Sequence, residues 1–194
     1  MPRDDREDTG AQKDIIRKIV QPMKVFLSEN AFMGLLLSSA EVYKRESLGY
    51  LLGYRLDDRF IVEYAFSLQT AMRKRRGVIF HRRDQIKILP ILSKFSKLQI
   101  VGDFHSHTPY GTSKGIAEPS PEDIKEMEED NLYVIIAINE IGKSRSWKEN
   151  IDCSISGSMG SFFFKISAYY YPGAKNSPRR APIFCPFPPG LKVG

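Results

Sequence analysis

The sequence predicts a mixed α/β domain over residues 21–171, with a mostly antiparallel sheet. Apolar runs of strand length outnumber the segments with helical periodicity, and turn residues separate several neighbouring runs closely enough for hairpins. A length of 194 residues suits one domain with tails, and an apolar fraction of 42% is enough to fill its core. These observations favour a single domain built around one sheet.

Residues 1–20 and 172–194 are predicted to lie outside this domain, as an N-terminal tail and a proline-rich C-terminal tail. Six prolines in the last 23 residues favour an extended chain over another element, so deletion of residues 176–194 should leave the domain folded. The charged N-terminus lacks the pattern of a signal peptide, and no apolar run approaches the roughly 20 residues of a membrane helix. We therefore expect a cytoplasmic protein without membrane contact.

Three helices are predicted from capping residues and from apolar positions three or four apart, at residues 29–44, 84–97 and 121–130. Ser28 supplies the N-cap of the first helix, and Ser120 followed by Pro121 marks the start of the third. Pro90 lies inside the second helix, where it should cause a kink or an early end because it lacks an amide hydrogen.

Strands are predicted at the apolar or alternating runs between these helices, at residues 23–27, 48–54, 60–66, 78–80, 98–107, 132–138, 151–156 and 162–171. Asp57 and Asp58 mark the tip of a hairpin between the second and third of these strands. Residues 132–138 are continuously apolar, which is typical of a central strand that is covered on both faces.

A basic stretch covers residues 73–83 in a chain of net charge +6: six of its eleven residues are lysine or arginine, and His81 lies among them. Such a stretch can contact nucleic acid or an acidic protein surface. It can equally be a solvated basic loop, and no nucleic-acid-binding motif accompanies it.

Two of the three histidines, His105 and His107, lie one residue apart at the end of a predicted strand. Residues i and i+2 of a strand point to the same face, so both imidazoles can contact one ion. Asp123 follows in the first turn of the helix that begins after Ser120. Two nitrogens and one oxygen are typical protein ligands of a catalytic Zn²⁺, which keeps its fourth position for water. The pattern therefore predicts a zinc site, although each half of it alone also occurs as ordinary strand or helix structure.

The run Glu46-Ser-Leu-Gly, with His105-Ser-His107 and Ser120-Pro-Glu-Asp123, resembles the signature of the JAMM (MPN+) zinc metalloproteases, the Mov34/PAD-1-like family. The resemblance implies a cytidine-deaminase-like α/β/α sandwich with a mixed, mostly antiparallel sheet. It also implies a role for each residue of the signature. By position, His105, His107 and Asp123 would bind Zn²⁺, Glu46 would act as the general base, and the hydroxyl of Ser120 would stabilise the oxyanion.

The resemblance implies an enzyme that hydrolyses the isopeptide or peptide bond after the C-terminus of a ubiquitin-like protein, as a deubiquitinase does. Two alternatives are the processing of a ubiquitin-like sulfur-carrier protein and an inactive scaffold or binding subunit. Considered without the rest of the signature, Glu46 would be interpreted as a surface residue that forms an ion pair with Lys44 or Arg45. The chain departs from the family pattern in the 13 positions that separate His107 from Ser120, which is more than usual. The intervening residues should loop out close to the substrate.

Overall fold

The structure is a computed structural model, and it describes residues 22–68, 72–73, 78–79, 82–95, 97–173 and 177–188. Three helices lie in these residues: α1 (Glu29–Glu41), α2 (Arg82–Leu92) and α3 (Pro121–Glu126). The strands are β1 (Lys24–Leu27), β2 (Leu48–Arg55), β3 (Arg59–Ser67), β4 (Met72–Arg73), β5 (Val78–Ile79), β6 (Gln99–His107), β7 (Leu132–Glu140), β8 (Lys148–Glu149), β9 (Ile155–Met159), β10 (Phe162–Tyr170), β11 (Arg179–Ala181) and β12 (Ile183–Phe184).

The main sheet has the strand order β12-β1-β3-β2-β6-β7-β10-β9-β8, and β11 also pairs with β10. Within the described residues, its parallel pairs are β1 with β12, β1 with β3, and β6 with β7. The remaining pairs are antiparallel, which confirms the predicted mixed α/β fold with a mostly antiparallel sheet. The strands β4 and β5 form a separate antiparallel pair.

Helix α1 covers one face of the sheet and forms the main core with it. Ser28 caps the helix as predicted: its Oγ accepts a hydrogen bond from the amide of Ala31 at 3.1 Å and donates one to the carbonyl of Glu63 at 2.7 Å. Phe32 and Leu35 of the helix are buried in the same cluster as Val134 and other residues of the central strands. The helix is three residues shorter than predicted.

The other face of the sheet carries α2 and α3. Leu48 and Tyr50 of β2 pack with Ile88 of α2, whereas Leu51 of the same strand packs in the main core, because successive side chains of a strand alternate between faces. Helix α2 ends at Leu92, two residues after Pro90, in line with the predicted early end. Helix α3 ends at Glu126, four residues before the predicted end.

The segment after Tyr171 contains two strands that the sequence did not predict. β11 pairs with β10, and β12 pairs in parallel with β1 at the opposite end of the strand order. Only Pro182 separates these two strands, and its carbonyl accepts a hydrogen bond from the amide of Val25 at 2.9 Å. The expectation of an extended tail without further elements is therefore wrong for residues 179–184. Strands of three and two residues are too short to show an alternation of apolar and polar side chains. The prolines that flank them are tolerated because the pairing of these strands requires no amide hydrogen at those positions.

A second correction concerns the predicted strand at residues 151–156. The chain instead forms the short β8, a turn at residues 150–154, and β9, which begins at Ile155. The predicted N-terminal tail, His81 and the side chains of the basic stretch lie outside the described residues. Each helix of the described part is too short or too polar to cross a membrane.

The C-terminal strands give a prediction on stability. Ile183 is 4% exposed in the main core, whereas Phe187 in the same segment is 45% exposed. Ile183→Ala should lower the free energy of unfolding by about 2–5 kcal/mol, because it removes buried methyl groups and leaves a cavity. Phe187→Ala is the matched control and should cost less than about 1 kcal/mol. Chemical denaturation measures both values, and similar small losses for the two variants would show that the segment does not belong to the core.

Candidate metal centre

Strand β6 presents both histidines on the face of the sheet opposite α1. Phe104 points into the main core, so His105 and His107, one and three residues after it, point the other way. β6 lies between β2 and β7, with Leu48 and Ile135 as the neighbours of His105. The close approach of β7 requires glycine at position 102, because a Cβ there would collide with the carbonyl of the neighbouring strand.

The three predicted ligand atoms converge at the end of β6. His105 Nε2 lies 3.0 Å from His107 Nε2, and Asp123 Oδ2 lies 3.4 Å and 3.5 Å from these two nitrogens. Zinc–ligand bonds of about 2.0 Å in tetrahedral geometry place ligand atoms about 3.3 Å apart. Among the described residues, this is the one group of three or more histidine, cysteine or acidic side chains close enough to hold a metal ion. The donor set and its spacing therefore fit Zn²⁺.

A capping box at the start of α3 positions Asp123. The Oγ of Ser120 accepts a hydrogen bond from the amide of Asp123 at 3.1 Å, and Asp123 Oδ2 accepts one from the amide of Ser120 at 2.6 Å. The carboxylate oxygen that faces the histidines is thus also the capping oxygen. Since a carboxylate oxygen has two lone pairs, it can accept the amide and bind a metal together.

The carbonyl of Ile116 orients His107, and sequence reasoning did not identify it. The ring Nδ1 of His107 lies 2.8 Å from this oxygen. A carbonyl only accepts, so Nδ1 carries the hydrogen and Nε2 offers its lone pair to a metal. No side-chain pattern could have revealed this contact, because a backbone oxygen is present at every residue.

The long loop between His107 and α3 is fixed at several points near its end. The side chain of Asn139 exchanges two hydrogen bonds with the backbone of Gly115, at 3.0 Å and 3.1 Å. The hydroxyl of Tyr169 donates to the carbonyl of Ala117 at 3.0 Å, and Arg180 of β11 pairs with Glu118 at 2.9 Å. These contacts hold the loop against β7, β10 and β11, and so hold the Ile116 carbonyl against His107.

Glu46 is held near the site because its neighbour Ser47 is hydrogen-bonded to the strand that carries the two histidines. The amide of Ser47 donates to the Oγ of Ser106 at 2.8 Å, and the amide of Ser106 donates to the carbonyl of Ser47 at 3.0 Å. Both serines are fully buried. Ser106, the residue between the two histidines, therefore connects the turn that carries Glu46 to the two candidate ligands. The sequence carried no signal for this contact, because the two serines are 59 positions apart.

Two cavities meet at this centre. A large groove of about 730 Å³ runs along residues 107–123. A smaller one of about 80 Å³, here called the acidic cavity, is lined by Glu46, Leu48, Asp103, His105, Asp123, Glu126, Met127 and Tyr133. Glu46 and Asp123 line both. The sequence did not single out Asp103, although it precedes His105 by two positions on a strand and so shares its face.

The charges of the site shift the pKa values of its members. Burial acts to lower the pKa of His107, but Asp123, the Ile116 carbonyl and the charge of Glu46 together raise it above the usual value. Burial acts to raise the pKa of Asp123, but hydrogen bonds from both histidines hold it well below the usual range. Burial, followed by the charges of Asp123 and two nearby glutamates, raises the pKa of Asp103 to about 8.

The first prediction from this geometry concerns metal content. The purified chain should hold about one zinc ion, and His107→Ala and Asp123→Ala should each lose most of it, since a site with two protein ligands binds zinc weakly. Glu122→Ala is the control, because Glu122 is exposed beside Asp123 and should not affect the metal. Elemental analysis of the four proteins measures the stoichiometry. Full zinc retention in both variants would contradict the assignment of His107 and Asp123 as zinc ligands.

The second prediction concerns pH. Zinc binds neutral imidazole, so it must displace a proton from His107 at any pH below the raised pKa of that residue. Zinc affinity should be highest above this pKa and should fall by about tenfold per pH unit as the pH drops through it. Asp123 stays ionised throughout because its pKa is lowered. Competition with a chelator from about pH 6 to about pH 8 measures the effect. A constant affinity over this range would contradict it.

Comparison with known proteins identifies a family and a similar fold. The family model of prokaryotic homologs of the JAB domain matches residues 29–150, a range that contains all five residues of the signature. Protein DSY2949 from Desulfitobacterium hafniense, solved in solution, has a similar fold, with a TM-score of 0.59 at 20% identity over 83% of this chain and 92% of that chain. No curated protein matches significantly. The chain therefore belongs to the family of prokaryotic homologs of the JAB domain.

Proposed function

We propose that the chain is a zinc-dependent isopeptidase or peptidase that hydrolyses the bond after the C-terminus of a ubiquitin-like protein, as a deubiquitinase does. One observation carries the proposal: the three ligand atoms of His105, His107 and Asp123 lie within 3.5 Å of one another, with Glu46 on the lining of the same cavity. Membership of the JAB family supports it.

A zinc ion held by His105, His107 and Asp123 would polarise a substrate carbonyl and lower the pKa of water, which are the two requirements of amide hydrolysis at neutral pH. Three protein ligands leave one position open, as is usual in catalytic zinc sites. The Nδ1–H of His107 stays engaged by Ile116 and keeps the ring in place.

Glu46 is the proton carrier of the proposed reaction. It does not belong to the group of ligand atoms, and it lines both the groove and the acidic cavity, where water and substrate meet. Its carboxylate accepts a proton from the attacking water and then delivers that proton to the leaving amine. The link between Ser47 and Ser106 keeps this carboxylate beside the histidines.

Ser120 is the proposed donor to the substrate oxygen. Its Oγ uses a lone pair to accept the amide of Asp123, so its own hydrogen is available to a developing oxyanion. The groove that Ser120 lines has room for an extended peptide, which is the form of a ubiquitin-like C-terminus. The proposed substrate therefore enters along residues 107–123.

Two other functions are compatible with this fold. Processing of a ubiquitin-like sulfur-carrier protein would use the same groove and the same residues. A scaffold subunit would need neither a metal nor Glu46, and the convergence of the ligand atoms favours an enzyme over it.

We include in the proposal the cytidine-deaminase-like α/β/α arrangement, which helices on both faces of the sheet support. The cytoplasmic location and the contact of residues 73–83 with nucleic acid or an acidic protein stay predictions.

The test separates the proton carrier from the ligands. Glu46→Gln keeps the shape of the side chain but cannot accept a proton at neutral pH. Zinc content and thermal stability should stay near those of the wild type, while hydrolysis should fall by about 10² or more. Zinc stoichiometry and cleavage of isopeptide-linked diubiquitin and of a sulfur-carrier protein with a C-terminal extension are measured on one preparation.

Glu41→Gln is the matched control, since Glu41 is exposed at the end of α1 and should leave both properties unchanged. A fully active Glu46→Gln protein would end the proposed mechanism. Loss of zinc in this variant would show instead that Glu46 is a fourth ligand.

A further inference from the structure

The carbonyl that orients His107 belongs to a residue whose own side chain does little to fix it. The side chain of Ile116 is 59% exposed, so it is not anchored by packing in a core. The direction of the Ile116 carbonyl therefore depends on the contacts of its neighbours in the loop. Before it, the backbone of Gly115 is held by the central strand β7. After it, the loop is held by contacts at Ala117 and at Glu118.

Both contacts after Ile116 involve Arg180 or its cross-strand neighbour. The guanidinium of Arg180 pairs with Glu118 at 2.9 Å. Its central carbon, Cζ, also lies 5.5 Å from the ring centroid of Tyr169, a distance that allows a cation–π contact. The hydroxyl of this tyrosine donates to the carbonyl of Ala117 at 3.0 Å. Since Arg180 lies directly opposite Tyr169 in the register of β10 with β11, one side chain contacts both anchors of the loop.

The other side of the guanidinium is fixed to the turn between β8 and β9. The Nη1 of Arg180 donates to the carbonyl of Asp152 at 3.1 Å and also to the carboxylate of the same residue. Hydrogen bonds between Asn150 and Ser154 close this turn. The planar fork of a guanidinium can bridge carboxylates on either side of it, whereas an ammonium group is a single point charge. Arg180 therefore joins the loop at Glu118 to a hydrogen-bonded turn.

We propose that Arg180 is a positioning residue of the candidate metal centre, and that it acts on His107 through Glu118 and the Ile116 carbonyl. Loss of its side chain releases the loop after Ile116. The carbonyl then no longer holds Nδ1, and the ring loses the contact that keeps Nε2 directed at the metal. Residue 180 lies beyond residues 29–150, so the family match does not assign this role. The inference rests on the proposed function for the identity of the metal.

Zinc affinity and the tautomer of His107 are the two measurements. Arg180→Ala should bind zinc about tenfold more weakly than the wild type, the lower end of the loss for a group behind a metal ligand. NMR of the ring nitrogens is recorded on the metal-free proteins, at a pH where the imidazole of His107 is neutral. The hydrogen should lie on Nδ1 in the wild type and be shared between Nδ1 and Nε2 in the variant. Both measurements are made below the temperature at which either protein begins to unfold, so that a loss of stability does not enter.

Matched variants make the comparison specific. Arg179→Ala removes the same charge from an exposed position of the same strand and should change neither measurement. Glu118→Gln should weaken zinc binding too. It carries the test if Arg180→Ala does not fold, because the side chain of Glu118 is 58% exposed. Its own control is Glu122→Gln, which removes the same charge from the same groove. The double variant of Arg180→Ala with Glu118→Gln should bind zinc no more weakly than Arg180→Ala alone, because both changes break one contact.

The outcomes separate this inference from the proposed function. An unchanged zinc affinity or an unchanged tautomer in Arg180→Ala would overturn the inference, as would an equal loss in Arg179→Ala or additive losses in the double variant. If the wild type then still binds zinc and cleaves its substrate, the proposed function stands without the inference. A wild type that binds no zinc would remove the proposed function, and the tautomer of His107 alone would decide the inference.

Discussion

The candidate centre depends on the alternation of side chains along β6. Phe104 fills the core under α1, and this fixes His105 and His107 on the opposite face. A shift in register of one residue would bury both imidazoles in the core and expose Phe104 instead. β2 and β7 prevent such a shift because they pair with β6 on its two edges. The same antiparallel neighbour, β2, begins two residues after Glu46, so one register places Glu46 and the two candidate ligands together.

Much of the fold could be predicted from the sequence because its signals are local. Ser28 and Ser120 are helix caps that act within three residues, and the apolar run at 132–138 is long enough to mark a central strand. The strands β11 and β12 gave no such signal. Their pairing partners, β10 and β1, lie far away in the sequence, and short strands gain their stability from those partners rather than from their own residues.

The same difference between local and long-range signals applies to the candidate site. The convergence of His105, His107 and Asp123 followed from strand alternation and a helix start, which the sequence displays. The groups that orient these three side chains could not be predicted from the sequence. The Ile116 carbonyl is a backbone atom, and the bond of Ser106 to Ser47 depends on the pairing of distant segments. Asp103 could have been found, because it has the same parity along β6 as the two histidines.

The pairing of residues 179–184 with β10 and with β1 has a consequence for biosynthesis. These residues leave the ribosome after every other strand of the sheet, so a nascent chain can form α1 and the strands around it before the sheet can close. Arg180, which holds the loop beside His107 through Glu118, arrives at the same late stage. The candidate ligands therefore exist for a time in a chain whose loop is held by Asn139 and Tyr169 but lacks its contact with Arg180. The order of synthesis delays completion of the centre until its surrounding sheet is complete.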